Sequence, residues 1–181
     1  MHPDIQEILY DEATLQKRVG ELALEIAADY RDTGNKLVLV CILKGSVVFM
    51  GDLMKKMPIP VEIDFMRVSS YGKGTASSGN IRIHLDLMRE DMAQCDVLIV
   101  EDIVDSGRTC SYLKDYLLLK GAHSVRVVTL LDKPERREVP FEADYTGFEI
   151  PNAFIVGYGL DYQEQYRDLP YIGILKPERY K

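Results

Sequence analysis

Residues 97–112 read VLIVEDIVDSGRTCSY: four aliphatics, the acids Glu101 and Asp102, a third acid at Asp105, then Ser106-Gly107-Arg108-Thr109. Carboxylates hold sugar hydroxyls or a hard cation. A short turn of backbone N–H groups and hydroxyls ahead of a helix holds a phosphate. Side by side, the two suit a sugar phosphate. Their place in the chain sharpens the reading. VLIV is a short continuous apolar run, as in a strand buried on both faces, and ligands of parallel sheets sit beyond the carboxyl ends of the strands. Neighbouring acids on an extended chain would point to opposite faces, and one would enter the core unpaired at a cost of several kcal/mol. The expectation is therefore that the strand ends at Val100, that both acids face an open crevice, and that a helix starts near Thr109. The turn by itself would serve equally as a helix cap. The acids directly behind a buried strand favour the phosphate site.

Other phosphate and metal motifs fail on inspection. No G-x-x-x-x-G-K-[ST] occurs; Gly72-Lys73-Gly74 is followed by Ser77, and Gly157-Tyr158-Gly159 by Tyr162, where a dinucleotide fingerprint needs glycine. The histidines (His2, His84, His123) are dispersed and form no H-E-x-x-H, which argues against a zinc hydrolase.

The elements that would carry this turn alternate. Residues 11–34 place Leu15, Val19, Leu22, Ile26 and Tyr30 at helical spacing, with Gly34 as the stop. LVLVCI (37–42) reads as a buried strand ending at LKGS, and VVFMGDLMKKM as a helix closed by Pro58, with Met50, Met54 and Met57 as core filler. VEIDFMRVSS (61–70) and IRIHLDL (81–87) alternate as strands. SYGKGTASSGN (70–80) between them has little to bury and is expected to move in the free protein and close as a lid. RTCSYLKDYLLLKGA follows VLIV as a helix, and SVRVVTLL (124–131) is a third buried strand. After Pro140 the chain turns irregular and aromatic, with short extended pieces at FIVGY and YIGIL. Strand–helix–strand alternation implies an α/β domain with a parallel-sheet core and right-handed crossovers. The expected division is one domain over 1–181, a core of about 10–140 and a small accessory lobe built from about 141–181.

Composition limits the function. A chain of 181 residues can bury roughly 70% of the surface it exposes when unfolded. Its net charge of −7 argues against a broad nucleic-acid surface, and no apolar run approaches the ~20 residues of a membrane span. The acidic N-terminus lacks the layout of a signal peptide, so a cytoplasmic location is expected. Cys41, Cys95 and Cys110 form neither a disulfide framework nor a zinc pattern and are expected to be buried, reduced thiols.

VLIVEDIVDSGRT resembles the phosphoribosyl-pyrophosphate signature of type I phosphoribosyltransferases. With LKGS (43–46), SSYG (69–72), LLDKP (130–134), GFEIPNAFIVGYGLDY (147–162) and YRDLPYIGILKPE (166–178) in order, the chain is similar to the hypoxanthine/guanine phosphoribosyltransferase family of purine salvage over nearly its whole length. The resemblance implies the type I fold with a C-terminal hood lobe. It also implies transfer of phosphoribose from 5-phosphoribosyl 1-pyrophosphate to hypoxanthine or guanine, with magnesium as cofactor and a homodimer or homotetramer as the assembly.

Roles carry over residue by residue. Ser106, Gly107, Arg108 (by its amide alone) and Thr109 would hold the 5′-phosphate, and Glu101 and Asp102 the ribose hydroxyls and the metal's water shell. Asp161 would assist a second magnesium. Lys44 and Gly45 match a pyrophosphate loop that carries a cis peptide in the family, with Arg167 completing the clamp and Ser70 and Tyr71 as lid contacts. Asp105 would be the general base or acid at the purine imidazole. Lys133 would donate to the 6-oxo group, Phe154 would stack on the base, and Ile155 would read its edge. Two other readings stand: a nucleotide-responsive regulator of the same fold, which this acidic chain disfavours, and an adenine or pyrimidine enzyme, which Lys133 disfavours through the resemblance.

Overall fold

The computed structural model describes residues 1–71 and 80–180. Its elements in chain order are β1 (Ile5–Tyr10), α1 (Glu12–Tyr30), β2 (Lys36–Leu43), α2 (Val47–Lys56), β3 (Glu62–Tyr71), β4 (Asn80–Leu85), β5 (Cys95–Val104), α3 (Arg108–Leu119), β6 (Ser124–Asp132), β7 (Tyr145–Glu149), β8 (Ile155–Val156) and β9 (Ile172–Leu175). Six strands form one sheet in the order β4-β3-β2-β5-β6-β7. Five of them run parallel, and β4 pairs antiparallel with β3 at the edge. β1, β9 and β8 form a separate three-stranded antiparallel sheet, the hood.

Apolar spacing accounts for the layers. Along α1, Leu15, Val19, Leu22, Ile26 and Tyr30 are all buried, as their helical spacing requires, and the Asp11 side chain caps the helix by accepting from the Thr14 N–H at 2.8 Å. α1 and α2 cover the sheet face that presents Leu37, Leu39, Cys41, Leu98 and Val100. α3 covers the opposite face of Val38, Val40, Val97 and Ile99 through Leu113 and Leu117. Strands buried on both faces explain why β2 and β5 read as continuous apolar runs. The three cysteines are buried free thiols. Among the helix methionines, Met50 is buried in the core, whereas Met54 is exposed and fills nothing.

Strand order fixes where a ligand can sit. From β2 the chain winds to β3 on one side and then crosses to β5 on the other, so the topological switch lies between β2 and β5. The crevice at the C-terminal ends of those two strands holds Lys44-Gly45, just past the end of β2, and Glu101-Asp102, within the last residues of β5.

Three local expectations change. First, β5 does not end at Val100. It runs to Val104 and stays paired with β6 through Glu101↔Thr129, Ile103↔Leu131 and Val104↔Asp132, while its pairing with β2 stops at Val100. Second, the hood is not built from the last 40 residues alone. Ile5–Tyr10 supplies its first strand, pairing with Ile172–Leu175, a partner invisible to local pattern. Third, Tyr145–Glu149 belongs to the large sheet beside β6, which moves the boundary past residue 149. Gly147 makes that stretch look irregular in sequence. It is needed because a Cβ there would sit 2.4 Å from the Leu130 carbonyl oxygen.

Ser70 and Tyr71 pair with Ile81 and Asn80 at the end of β3. Of the lid expected over 70–80, residues 72–79 lie outside the described residues. No helix among the described residues is long and apolar enough to cross a membrane.

Candidate active site

The turn at 105–109 forms because Gly107 takes φ +81°, a left-handed conformation, at the N-terminus of α3. A side chain there is excluded for a second reason: a Cβ would meet Arg137 Cδ at 2.9 Å and Phe141 Cβ at 3.0 Å. The Arg108 amide donates to Ser106 Oγ at 3.3 Å, and the Ser111 amide to the Gly107 carbonyl at 3.0 Å. The resulting concavity has a volume of about 120 Å³ and is lined by Glu101, Asp105, Ser106, Gly107, Thr109 and Cys110. The Arg108 guanidinium turns away to pair with Glu138 at 2.6 Å on the surface.

A larger cavity of about 420 Å³ adjoins it, sharing Glu101 and Thr109, and adds Lys44, Gly45, Ser69, Asp102, Asp161 and Arg167. Both neighbouring acids reach it although the strand continues. On the side β2 has vacated, the Asp102 amide donates to Ser46 Oγ at 3.2 Å in place of a strand partner. Asp102 Oδ1 folds back to accept from the Ile103 N–H at 2.9 Å. Ser46 is fully buried and also donates to the Ile42 carbonyl at 2.8 Å, tying the LKGS loop to the acids.

The peptide joining Leu43 and Lys44 is cis. The loop is wedged between two surfaces that admit no side chain: a Cβ on Gly45 would lie 1.7 Å from Asp102 Oδ2, and one on Gly159 (φ +101°) would lie 2.0 Å from the Gly45 carbonyl oxygen.

Burial, and then the charge of Asp102, raise the Glu101 pKa well above the carboxylate range. Burial raises Asp102 too, against the hydrogen bonds and the Arg167 charge that hold it down. The same surroundings push the Cys41 thiol up to about 12, through burial first and then the two acids. Such a pair favours a bound cation. The donors are hard oxygens suited to magnesium, but among the described residues no three acids or histidines close into a cage. Glu101 and Asp102 therefore fit a magnesium that arrives on substrate phosphates and keeps part of its water shell. Asp161 is engaged by Arg167 at 2.9 Å.

Arg167 also donates to the Gly159 carbonyl at 2.8 Å, which anchors the hood loop over the cavity, and its Nε is buried without a partner among the described residues. Glu164, which the sequence did not single out, bridges Arg167 (3.4 Å) and Lys44 (3.1 Å).

Asp105, Lys133, Phe154 and Ile155 lie outside the lining of the larger cavity. Asp105 is half open to solvent, its carboxylate 3.0 Å from Arg136 Nε. Lys133 follows β6; its amide donates to the Val104 carbonyl at 2.9 Å and its Nζ to the Ala153 carbonyl at 2.8 Å. Burial lowers the Lys133 pKa and the Arg136 charge adds to that, partly offset by Asp105. Phe154 stays 37% exposed, stacked on Tyr180 at 4.5 Å and edged by Tyr162 at 5.4 Å. Ile155 is buried on β8, an edge strand of the hood sheet.

Residues 6–163 match the model of the phosphoribosyl transferase domain family. A hypoxanthine-guanine phosphoribosyltransferase of Bacillus subtilis is 49% identical over 100% of this chain and 99% of its own length. The chain belongs to the hypoxanthine/guanine phosphoribosyltransferase family.

Solved members of that family superpose closely. A hypoxanthine phosphoribosyltransferase from Staphylococcus aureus gives a TM-score of 0.94 at 48% identity, covering 100% of this chain and 97% of its own. One from Trypanosoma cruzi, in a ternary substrates complex, gives 0.93 at 43%, covering 99% and 100%. A bifunctional TilS/HprT protein of Listeria innocua is 55% identical over 99% of this chain, which spans 27% of that relative's length. The type I fold expected from the sequence is the fold observed, with one antiparallel strand at the edge of its parallel sheet.

Proposed function

We propose that this chain transfers phosphoribose from 5-phosphoribosyl 1-pyrophosphate to hypoxanthine and guanine, giving IMP or GMP and pyrophosphate. The reading rests above all on one observation: the phosphate turn, the acid pair and the cis loop open into adjoining cavities that share Glu101 and Thr109.

Backbone amides and hydroxyls of Ser106, Gly107, Arg108 and Thr109 take the 5′-phosphate, and Glu101 and Asp102 take the ribose hydroxyls. Lys44, Gly45 and Arg167 face the pyrophosphate. The bond from C1 to the pyrophosphate oxygen breaks as the bond from C1 to the purine nitrogen forms, with positive charge on the sugar between the two events. Glu101, Asp102 and Asp161 would hold a magnesium, which would supply positive charge against the leaving pyrophosphate.

Asp105 accepts the proton that the purine imidazole loses and, while ionised, offsets the charge on the sugar. Lys133 Nζ has only donors, so it selects a 6-oxo acceptor over the amino group of adenine. Phe154 offers its ring to the base, Ile155 its edge-strand backbone, and Ser70 and Tyr71 close the site. Buried free thiols are in keeping with a reducing compartment such as the cytoplasm. A homodimer or homotetramer is the proposed assembly, which light scattering decides.

The test is an initial-rate assay of hypoxanthine, guanine, xanthine and adenine with phosphoribosyl pyrophosphate and magnesium. Nucleotide formation from hypoxanthine or guanine is expected. Turnover of adenine alone, or of no base, overturns the reading.

A further inference from the structure

Two stretches of the site are far apart in sequence and locked together in space. The first, Val104–Arg108, carries Asp105 and the phosphate turn. The second, Asp132–Glu138, carries Lys133. Backbone bonds join their ends, Lys133 N–H to the Val104 carbonyl and Glu138 N–H to the Ser106 carbonyl, both at 2.9 Å. Two surface ion pairs span them as well, Arg136–Asp105 and Arg108–Glu138, but their partners are 39–51% exposed, and pairs in that setting contribute little.

Arg137 differs from these. Its side chain is 16% exposed and its partner Asp132 is 17% exposed. One guanidinium nitrogen donates to the Asp105 carbonyl oxygen at 2.7 Å and the other to Asp132 Oδ1. Its Cδ also forms part of the wall against Gly107, the left-handed residue of the turn. A single planar fork thus touches the backbone of the proton-transfer residue and the side chain beside the purine-reading lysine, and it packs beneath the phosphate cradle. Lysine, a point donor on a flexible stem, lacks the planar fork that fixes both bond directions at once.

We infer that Arg137 is a positioning residue that holds the phosphoribosyl-binding turn and the purine-reading segment at a fixed separation, so that its loss impairs the handling of both substrates together. The inference rests on the proposed roles of Asp105, the 106–109 turn and Lys133. Arg137 itself touches no reacting atom. Its effect comes from geometry, where a displacement of about 1 Å costs on the order of 10²-fold in rate.

The experiment measures kcat and KM for hypoxanthine and for phosphoribosyl pyrophosphate in Arg137→Ala, Arg137→Lys and Asp132→Asn, each corrected for folded fraction by circular dichroism. Expected for Arg137→Ala is a fall of about 10²-fold in kcat/KM for both substrates, with at least a tenfold recovery on adding millimolar guanidinium. Arg137→Lys should recover less than a tenth of the loss. Asp132→Asn should shift both constants in the same direction, and adding it to Arg137→Ala should cost little more, because the two act as one unit. The inference is overturned if kcat/KM for either substrate stays within threefold, or if the loss follows the folded fraction and ignores guanidinium. Should Arg137→Ala not fold, Asp132→Asn decides: unchanged constants for either substrate refute the inference. A wild-type protein that turns over no 6-oxo purine would instead refute the functional reading, a separate result.

Discussion

Replacing Gly45 with alanine is the sharpest perturbation the site offers. Its φ lies outside the left-handed region, so alanine brings no conformational strain of its own, and the whole effect is steric. The added carbon would stand 1.7 Å from Asp102 Oδ2 and 2.7 Å from its Cγ, where ordinary contact begins at 3.4 Å. Asp102 is a short side chain with no far end to swing aside. Its carboxylate must turn away, giving up the bond from the Ile103 N–H at 2.9 Å. A hydrogen bond to a charged group is worth roughly 1.5–3 kcal/mol, part of which water returns at this partly open position. Stability should therefore fall by about 1–2 kcal/mol, or roughly 2–8 °C in Tm for a chain of this size.

Activity should suffer more. The acid assigned to the ribose and the metal's water shell moves by more than 1 Å, for which about 10²-fold in kcat/KM for phosphoribosyl pyrophosphate is a reasonable magnitude. Initial rates at varied phosphoribosyl pyrophosphate and a thermal melt read both quantities on one preparation. A kcat/KM within threefold of wild type would show that the Asp102 carboxylate is not needed where the structure holds it.

Three further substitutions probe the remaining parts. Asp105→Asn should lower kcat by ~10²–10⁴-fold while the KM for phosphoribosyl pyrophosphate changes little; more than half the wild-type kcat would remove Asp105 from proton transfer. Lys133→Met should weaken purine binding by roughly 1.5–3 kcal/mol and erode the preference for 6-oxo purines over adenine, and an unchanged purine KM would argue against its contact with the base. Glu101→Gln should abolish turnover yet flatten the pH dependence of stability. Burial raises the Glu101 pKa above its ordinary 4.5, so the folded chain holds the proton more tightly than the unfolded one. Stability of the free wild-type protein therefore falls as pH climbs from that value through the raised one, and the variant lacks that loss. Melting curves at pH 5 and pH 8 with the same slope for both proteins would contradict this.

Local rules carried much of the fold. α1, β2, β5, α3 and β6 follow directly from apolar period and run length, and the crevice follows from the rule for parallel sheets. β1 and β7 escaped because their warrant lies elsewhere in the chain. Ile5–Tyr10 becomes a strand only beside Ile172–Leu175, and Tyr145–Glu149 only because Gly147 lets it lie against the Leu130 carbonyl. In the site, the acids and the phosphate turn were legible by type and spacing, whereas the reason given for the acids was wrong. It assumed that a strand must end for two neighbouring carboxylates to share a cavity. The strand goes on; what stops is its pairing with β2, and Ser46 takes the Asp102 N–H.

That error separates two kinds of functional residue. Glu101 and Asp102 violate the pattern of a buried strand, and a violation that costs several kcal/mol is visible without coordinates, because consistency between local rule and fold breaks at sites of function. Gly159, Arg137 and Glu164 violate nothing. A glycine in a turn and one of two adjacent arginines are ordinary until the third dimension shows what stands within 3 Å of them. Arg136 and Arg137 make the point in one dipeptide, since one lies on the surface and the other is buried in the clamp. The residues assigned to the substrate thus stand out in the sequence, and those that fix the distances between them do not.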